Sequence, residues 1–121
     1  MRTYKDMIRE EDLAQLVANW REQEPLKGTR EEKDFMPVAK LFNPCGSGTW
    51  ILTELEPDSS LAFGLCDLGV GEPELGYVCL EELASIKLMA GLSIEQDLYF
   101  KPTKMLSEYA SEASKLRYIK A

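Results

Sequence analysis

Residues 61–79 read LAFGLCDLGVGEPELGYVC, and the fold is decided here. An apolar run at 61–68, interrupted only by Asp67, leads through a turn rich in glycine and carboxylate to a second short apolar run at 75–78. A strand that is apolar on both faces belongs at the centre of a sheet, covered from each side. Gly69, Gly71 and Pro73 supply the chain reversal between the two runs. The expectation is a pair of central strands whose turn gathers Asp67, Glu72 and Glu74, the one concentrated polar feature of the predicted core.

Upstream, VAKLF at 38–42 ends in the turn signal NPCGSG, and WILTELE at 50–56 alternates. Strict alternation puts Ile51, Thr53 and Leu55 on one face and Trp50, Leu52, Glu54 and Glu56 on the other. These two runs are predicted to pair antiparallel, with Lys40 facing Glu54 across the hairpin. Downstream, LEELASIKLMA at 80–90 is a predicted helix stopped by Gly91. Residues 93–100 alternate again as an edge-like fifth strand. Thr103 is placed to cap a last helix with the stripe Leu106, Tyr109, Ala110, Ala113 and Leu116.

At the other end, Leu13, Leu16, Val17 and Trp20 recur at helical spacing within residues 3–24, with Thr3 and Asp6 as a capping-box variant. Pro25 and Gly28 end that helix, and the charged stretch PLKGTREEKDFM at 25–36 reads as a mobile connection. The predicted architecture is a single α+β domain over 1–121. An N-terminal helix (1–24) and a charged connection (25–36) precede a core (37–119) built on a mainly antiparallel sheet of four to five strands. An N-terminal, a middle and a C-terminal helix pack against that sheet.

Composition excludes several classes of function. With 14 basic and 21 acidic residues the net charge is −7, which argues against an extended nucleic-acid footprint and for a partner with a basic face. The chain has no histidine, which rules out Ser-His and Cys-His catalysis and removes the commonest metal ligand. Cys45, Cys66 and Cys79 form no C-x-x-C pair and leave an odd thiol, as in a reducing cytoplasm. No apolar segment is long enough to span a membrane, and the opening MRTYKDMIREED is too charged for a signal peptide. A cytoplasmic location is expected.

The candidate functional surface is Glu54, Asp67, Glu72, Glu74 and Tyr77. Carboxylates at adjoining strand ends suit a divalent ion such as Mg²⁺, and a carboxylate with a phenol suits acid-base work once burial shifts a pKa. Against this, the simplest role for Asp67 is to accept backbone amides in its own turn, and Asp67→Ala is expected to disturb folding first. Thr53, Tyr77 and Trp50 are candidates to line a small pocket. The turn GVGEPELG lacks phosphate-loop spacing, and its glutamates repel phosphate. No cofactor is implied.

The runs AKLF (39–42), TW (49–50), LTEL (52–55), LAFGLCDLG (61–69), PELGYV (73–78), GL-I-E-DL-F (91–100) and LSEYA (106–110) resemble the family called domain of unknown function 2958. The resemblance covers roughly 36–113. It implies small bacterial proteins carried by plasmids and other mobile elements, and no known reaction. Relatives tend to have serine where Cys79 stands, which would complete a capping box with Glu82; they often have histidine at Tyr99 and arginine at Gln96. The favoured function is therefore a non-catalytic protein-interaction or accessory factor of a mobile genetic element. The alternatives are a small metal-dependent or acid-base enzyme using the 67–74 turn, and an acidic inhibitor that mimics nucleic acid against a host defence protein.

Overall fold

The computed structural model describes residues 2–121 and is an α+β fold with helices on both faces of one sheet. In chain order the elements are α1 (Tyr4–Met7), α2 (Glu10–Gln23), β1 (Ala39–Phe42), β2 (Thr49–Leu55), β3 (Leu61–Asp67), β4 (Glu74–Cys79), α3 (Leu80–Ser85), β5 (Glu95–Gln96) and α4 (Leu106–Leu116). The sheet order is β4-β3-β2-β1-β5, with every pairing antiparallel. No helix among the described residues is long and apolar enough to cross a membrane.

The sheet separates two apolar clusters. Leu16 of α2, Leu80 and Leu83 of α3 pack with Trp50 and Leu52 on one side. On the other, Leu106, Tyr109 and Ala113 of α4 cover Ile51 and Leu65. Ala62 faces the first cluster and Leu65 the second, so β3 is the two-sided central strand that its composition predicts.

Strict alternation in β2 does not hold. Leu52 pairs with Gly64, yet Glu54 pairs with Phe63, so two residues of β2 advance against one of β3. This β-bulge carries Thr53 as its extra residue and inverts the facing of everything after it. Leu55 therefore joins Trp50 and Leu52 in the first cluster rather than sharing a face with Ile51. Gly64 makes the bulge possible: a Cβ there would lie 2.1 Å from the carbonyl oxygen of Ile51. The predicted Lys40–Glu54 pair is also replaced. Lys40 faces Ile51 in register and forms its ion pair with Asp97 at 3.4 Å.

The predicted first helix is broken at Ile8 (φ −123°, ψ 137°), which turns inward and is 2% exposed. The Gln96 side chain holds the break, accepting from the Arg9 amide at 2.9 Å and donating to Asp12 at 2.6 Å. The Thr3–Asp6 capping box does open α1. The middle helix is shorter than expected and ends at Ser85, whose hydroxyl donates to the Glu82 carbonyl at 2.7 Å; Gly91 lies instead in a separate 3-10 turn. The fifth strand shrinks to two residues because Asp97 accepts the Tyr99 amide at 2.9 Å, an Asx turn that peels the chain from β1. Thr103 does not cap α4. Its amide receives no helical role and donates to the Tyr109 hydroxyl at 2.9 Å, while Met105 occupies the cap position.

Helix α3 begins after Cys79, which has extended cap geometry and makes no side-chain cap bond. Serine at that position would accept a first-turn amide and complete the reciprocal arrangement with Glu82. Cys79→Ser is expected to raise stability by about 0.5–1.5 kcal/mol, read as a higher midpoint in thermal or urea unfolding.

Candidate functional site

The bulge at Thr53 has a chemical consequence. By inverting the strand it turns Glu54 onto the α4 side of the sheet, directly opposite Phe63, which is itself opposite Tyr77. Cross-strand partners share a face, so Glu54, Phe63 and Tyr77 form one transverse row over β2, β3 and β4. The Phe63 and Tyr77 rings meet edge to face at 5.1 Å. This row floors a cleft of about 400 Å³ whose walls include Lys27, Phe35, Leu75 and Ser107.

The chain between α2 and β1 forms the outer wall, and it is fastened at both ends. Gln23, 4% exposed, clasps the backbone of Lys33 with its whole amide, accepting from N–H at 2.8 Å and donating to the carbonyl at 2.6 Å. Asp34 then accepts from the Ser107 amide at 3.2 Å and from the Ser107 hydroxyl. A carboxylate from a distant loop thereby takes a free amide in the first turn of α4, where the helix dipole favours negative charge. The Leu106 amide adds a bond to the Phe35 carbonyl at 2.8 Å. The segment expected to be a mobile connection is pinned to two helices.

Lys27 stands at the mouth. Its ammonium donates to the Tyr77 hydroxyl at 2.6 Å and lies 4.6 Å and 5.0 Å from the ring centres of Trp20 and Tyr77. The bond to Tyr77 raises the Lys27 pKa above 10.5, against an opposing effect of burial, and Glu54 and Glu24 add to the rise. Lys27 is therefore a firmly protonated cation on an aromatic pair.

Glu54 is the most buried ionisable group of the cleft, 5% exposed. Burial pushes its carboxyl above the ordinary 4.5; the Lys27 ammonium and the Thr53 hydroxyl, the latter at 3.4 Å, counter this, and Glu32 reinforces it. The folded state thus holds the proton more tightly than the unfolded chain.

The sequence candidates divide. Glu54 and Tyr77 come together, with Thr53 beside them. Asp67, 6% exposed, is a latch: one carboxylate oxygen accepts the Gly69 amide at 2.8 Å and the other the Ile119 amide at 3.1 Å, tying the turn after β3 to the C-terminal residues. Glu72 and Glu74 are exposed, and Glu74 faces Cys66 on the opposite side of the sheet from Tyr77. An acid-base group of Asp67, Glu74 and Tyr77 does not exist in this geometry. Among the described residues, no three His, Cys, Asp or Glu side chains are grouped to hold a metal ion. Trp50 is not a lining residue but part of the first apolar cluster. Cys66 is partly buried against the first apolar cluster, and burial pushes its thiol up to about 11, away from the reactive thiolate.

Lys27, Phe35, Phe63 and Leu75 are among the lining residues that sequence reasoning missed. Phe63 is legible only as one of several apolar strand residues. Lys27 sits in a charged loop with no spacing signal at all.

A family model described as a protein of unknown function (DUF2958) matches residues 7–120. The chain belongs to the DUF2958 family. The match includes α2 and the pinned connection, so both walls of the cleft lie inside the DUF2958 region, including the part before Met36 where the resemblance is weak. No curated protein and no solved structure matches the chain.

Two outcomes follow from these two carboxylates. With the folded pKa of Glu54 raised, its own contribution to stability is greatest below the unfolded carboxyl range near 4.5 and is lost as pH rises through the folded value. Glu54→Gln lacks this decline, so its stability relative to wild type should increase with pH across that window, measured by urea unfolding at several pH values. Asp67→Ala orphans two amides held by a charged acceptor and should cost roughly 3 kcal/mol, read as a lowered urea midpoint.

Proposed function

We propose that this DUF2958 chain is a protein-interaction module, an accessory factor of a mobile genetic element in a bacterial cytoplasm, that binds a partner protein where the cleft meets β4. One observation carries this. Strand β4 ends the sheet, and its residues Leu75 and Tyr77 are 48% and 51% exposed on the same side as the cleft floor. A free strand edge with exposed apolar side chains is a template for an added strand, since backbone amides and carbonyls there lack partners. Tyrosine that is half covered and half free is also the residue type enriched at the energetic centre of interfaces. The net charge of −7 favours a partner with a basic face, and the unpaired Cys45, Cys66 and Cys79 suit a reducing compartment.

The test uses wild type and Leu75→Asp, a substitution at an exposed position. Both forms are immobilised and exposed to lysate of a bacterial host carrying a plasmid that encodes the protein; captured proteins are then purified and titrated individually. The expected result is a partner that binds wild type and loses roughly tenfold or more in affinity to Leu75→Asp. Equal affinity for both forms would remove the β4 edge as the binding surface.

A further inference from the structure

We infer that the cleft is a receptor for a basic side chain, lysine or arginine, carried by an extended partner segment that pairs with the edge of β4. This rests on the protein-binding reading and names the chemistry that the partner must present.

Glu54 is the buried charge of the cleft. A carboxylate has about four acceptor positions, and this one is 5% exposed with a single hydrogen bond, a long one of 3.4 Å from Thr53. Among the described residues none forms an ion pair with it within 4.0 Å, because Lys27 spends its ammonium on Tyr77 and on two aromatic rings. The second carboxylate oxygen has no protein donor among the described residues and faces the cleft, so a donor entering by that route has an open acceptor. An entering ammonium or guanidinium supplies both the charge and the missing donors.

The surroundings select the same chemistry. Glu32 and Asp34 stand on the rim, while Lys33 is already paired with Glu22. Phe35, Phe63 and Leu75 offer apolar walls for the methylene stem of a long basic side chain, whose charged end travels on to the carboxylate. Lys27 shows how this surface holds a cation, seated on Trp20 and Tyr77. The volume, about 400 Å³, is at the small end of ligand clefts and has room for a long side chain. An added strand on β4 directs alternate side chains to the face that bears Leu75 and Tyr77, which is the face of the cleft.

The experiment is a titration of the full chain, followed by backbone amide NMR and calorimetry, with acetylated and amidated peptides of sequence Thr-Val-Thr-X-Thr-Val-Thr, where X is lysine, arginine or norleucine. The lysine or arginine peptide should bind about tenfold tighter than the norleucine peptide, with shifts at β4 amides and at Glu54. In Glu54→Gln that preference should fall below about threefold. In Lys27→Met, which removes the resident ammonium without touching Glu54, the lysine peptide should bind more tightly than to wild type. Equal binding of the three peptides to wild type, or an undiminished preference in Glu54→Gln, overturns the assignment of the basic group. Failure of every peptide to bind or to shift β4 overturns strand addition at this edge. Loss of the basic-group preference alone leaves the β4 edge standing as the binding surface, whereas a captured partner that binds Leu75→Asp as tightly as wild type removes that edge itself.

Discussion

One extra residue in β2, accommodated against a glycine in β3, governs how this molecule uses its sheet. The Ile51 carbonyl approaches Gly64 more closely than any side-chain-bearing residue permits, and that approach lets Thr53 be inserted without breaking the pairing on either side. Up to Leu52 the strand obeys simple alternation. Beyond it the facing inverts, so Leu55 is delivered to the core under α2 and Glu54 to the far side. Without the bulge, Glu54 would fall among Trp50 and Leu52, and Leu55 would fill the place where the cleft opens.

The outer wall of the resulting cleft is held by contacts that are separate from the sheet. It is a segment of high charge and little apolar content, which cannot hold itself in place by burial. Two directed polar contacts do so instead: the amide of Gln23 reads both backbone groups of Lys33, and Asp34 serves the start of α4. Asn19 adds to the same frame by donating to the Thr53 carbonyl at 2.9 Å, satisfying the bulge itself. The buried polar residues of this protein are therefore concentrated where the chain departs from regular structure, which is where backbone groups lose their ladder partners.

Legibility followed the range of the interaction. Stripes such as Leu13, Leu16, Val17 and Trp20, the Thr3–Asp6 cap and the two-sided apolarity of β3 are local patterns, and they identified their elements. Local patterns failed where a contact distant in sequence overrode them, as with Gln96 at the break before α2 and Asp34 at the start of α4, or where a short polar turn cut an alternating run, as with Asp97 at the end of β5. The candidate site was half legible. Glu54 and Tyr77 were chosen as polar or aromatic residues on predicted strands, but Asp67 stood out for the same reason and is a latch, and Lys27 offered nothing to choose it by.

Composition, periodicity and turn chemistry determined by themselves that this is an acidic α+β chain with a central antiparallel sheet, because alternation and amphipathic spacing are written residue by residue. The resemblance carried by FGLCDLG and PELGY likewise determined its family. Which carboxylate is buried in a cleft and which merely closes a turn was decided only in three dimensions. A bulge depends on the absence of a Cβ in the neighbouring strand, and the pKa of Glu54 depends on the water that its neighbours exclude; neither is a property of any one stretch of the chain.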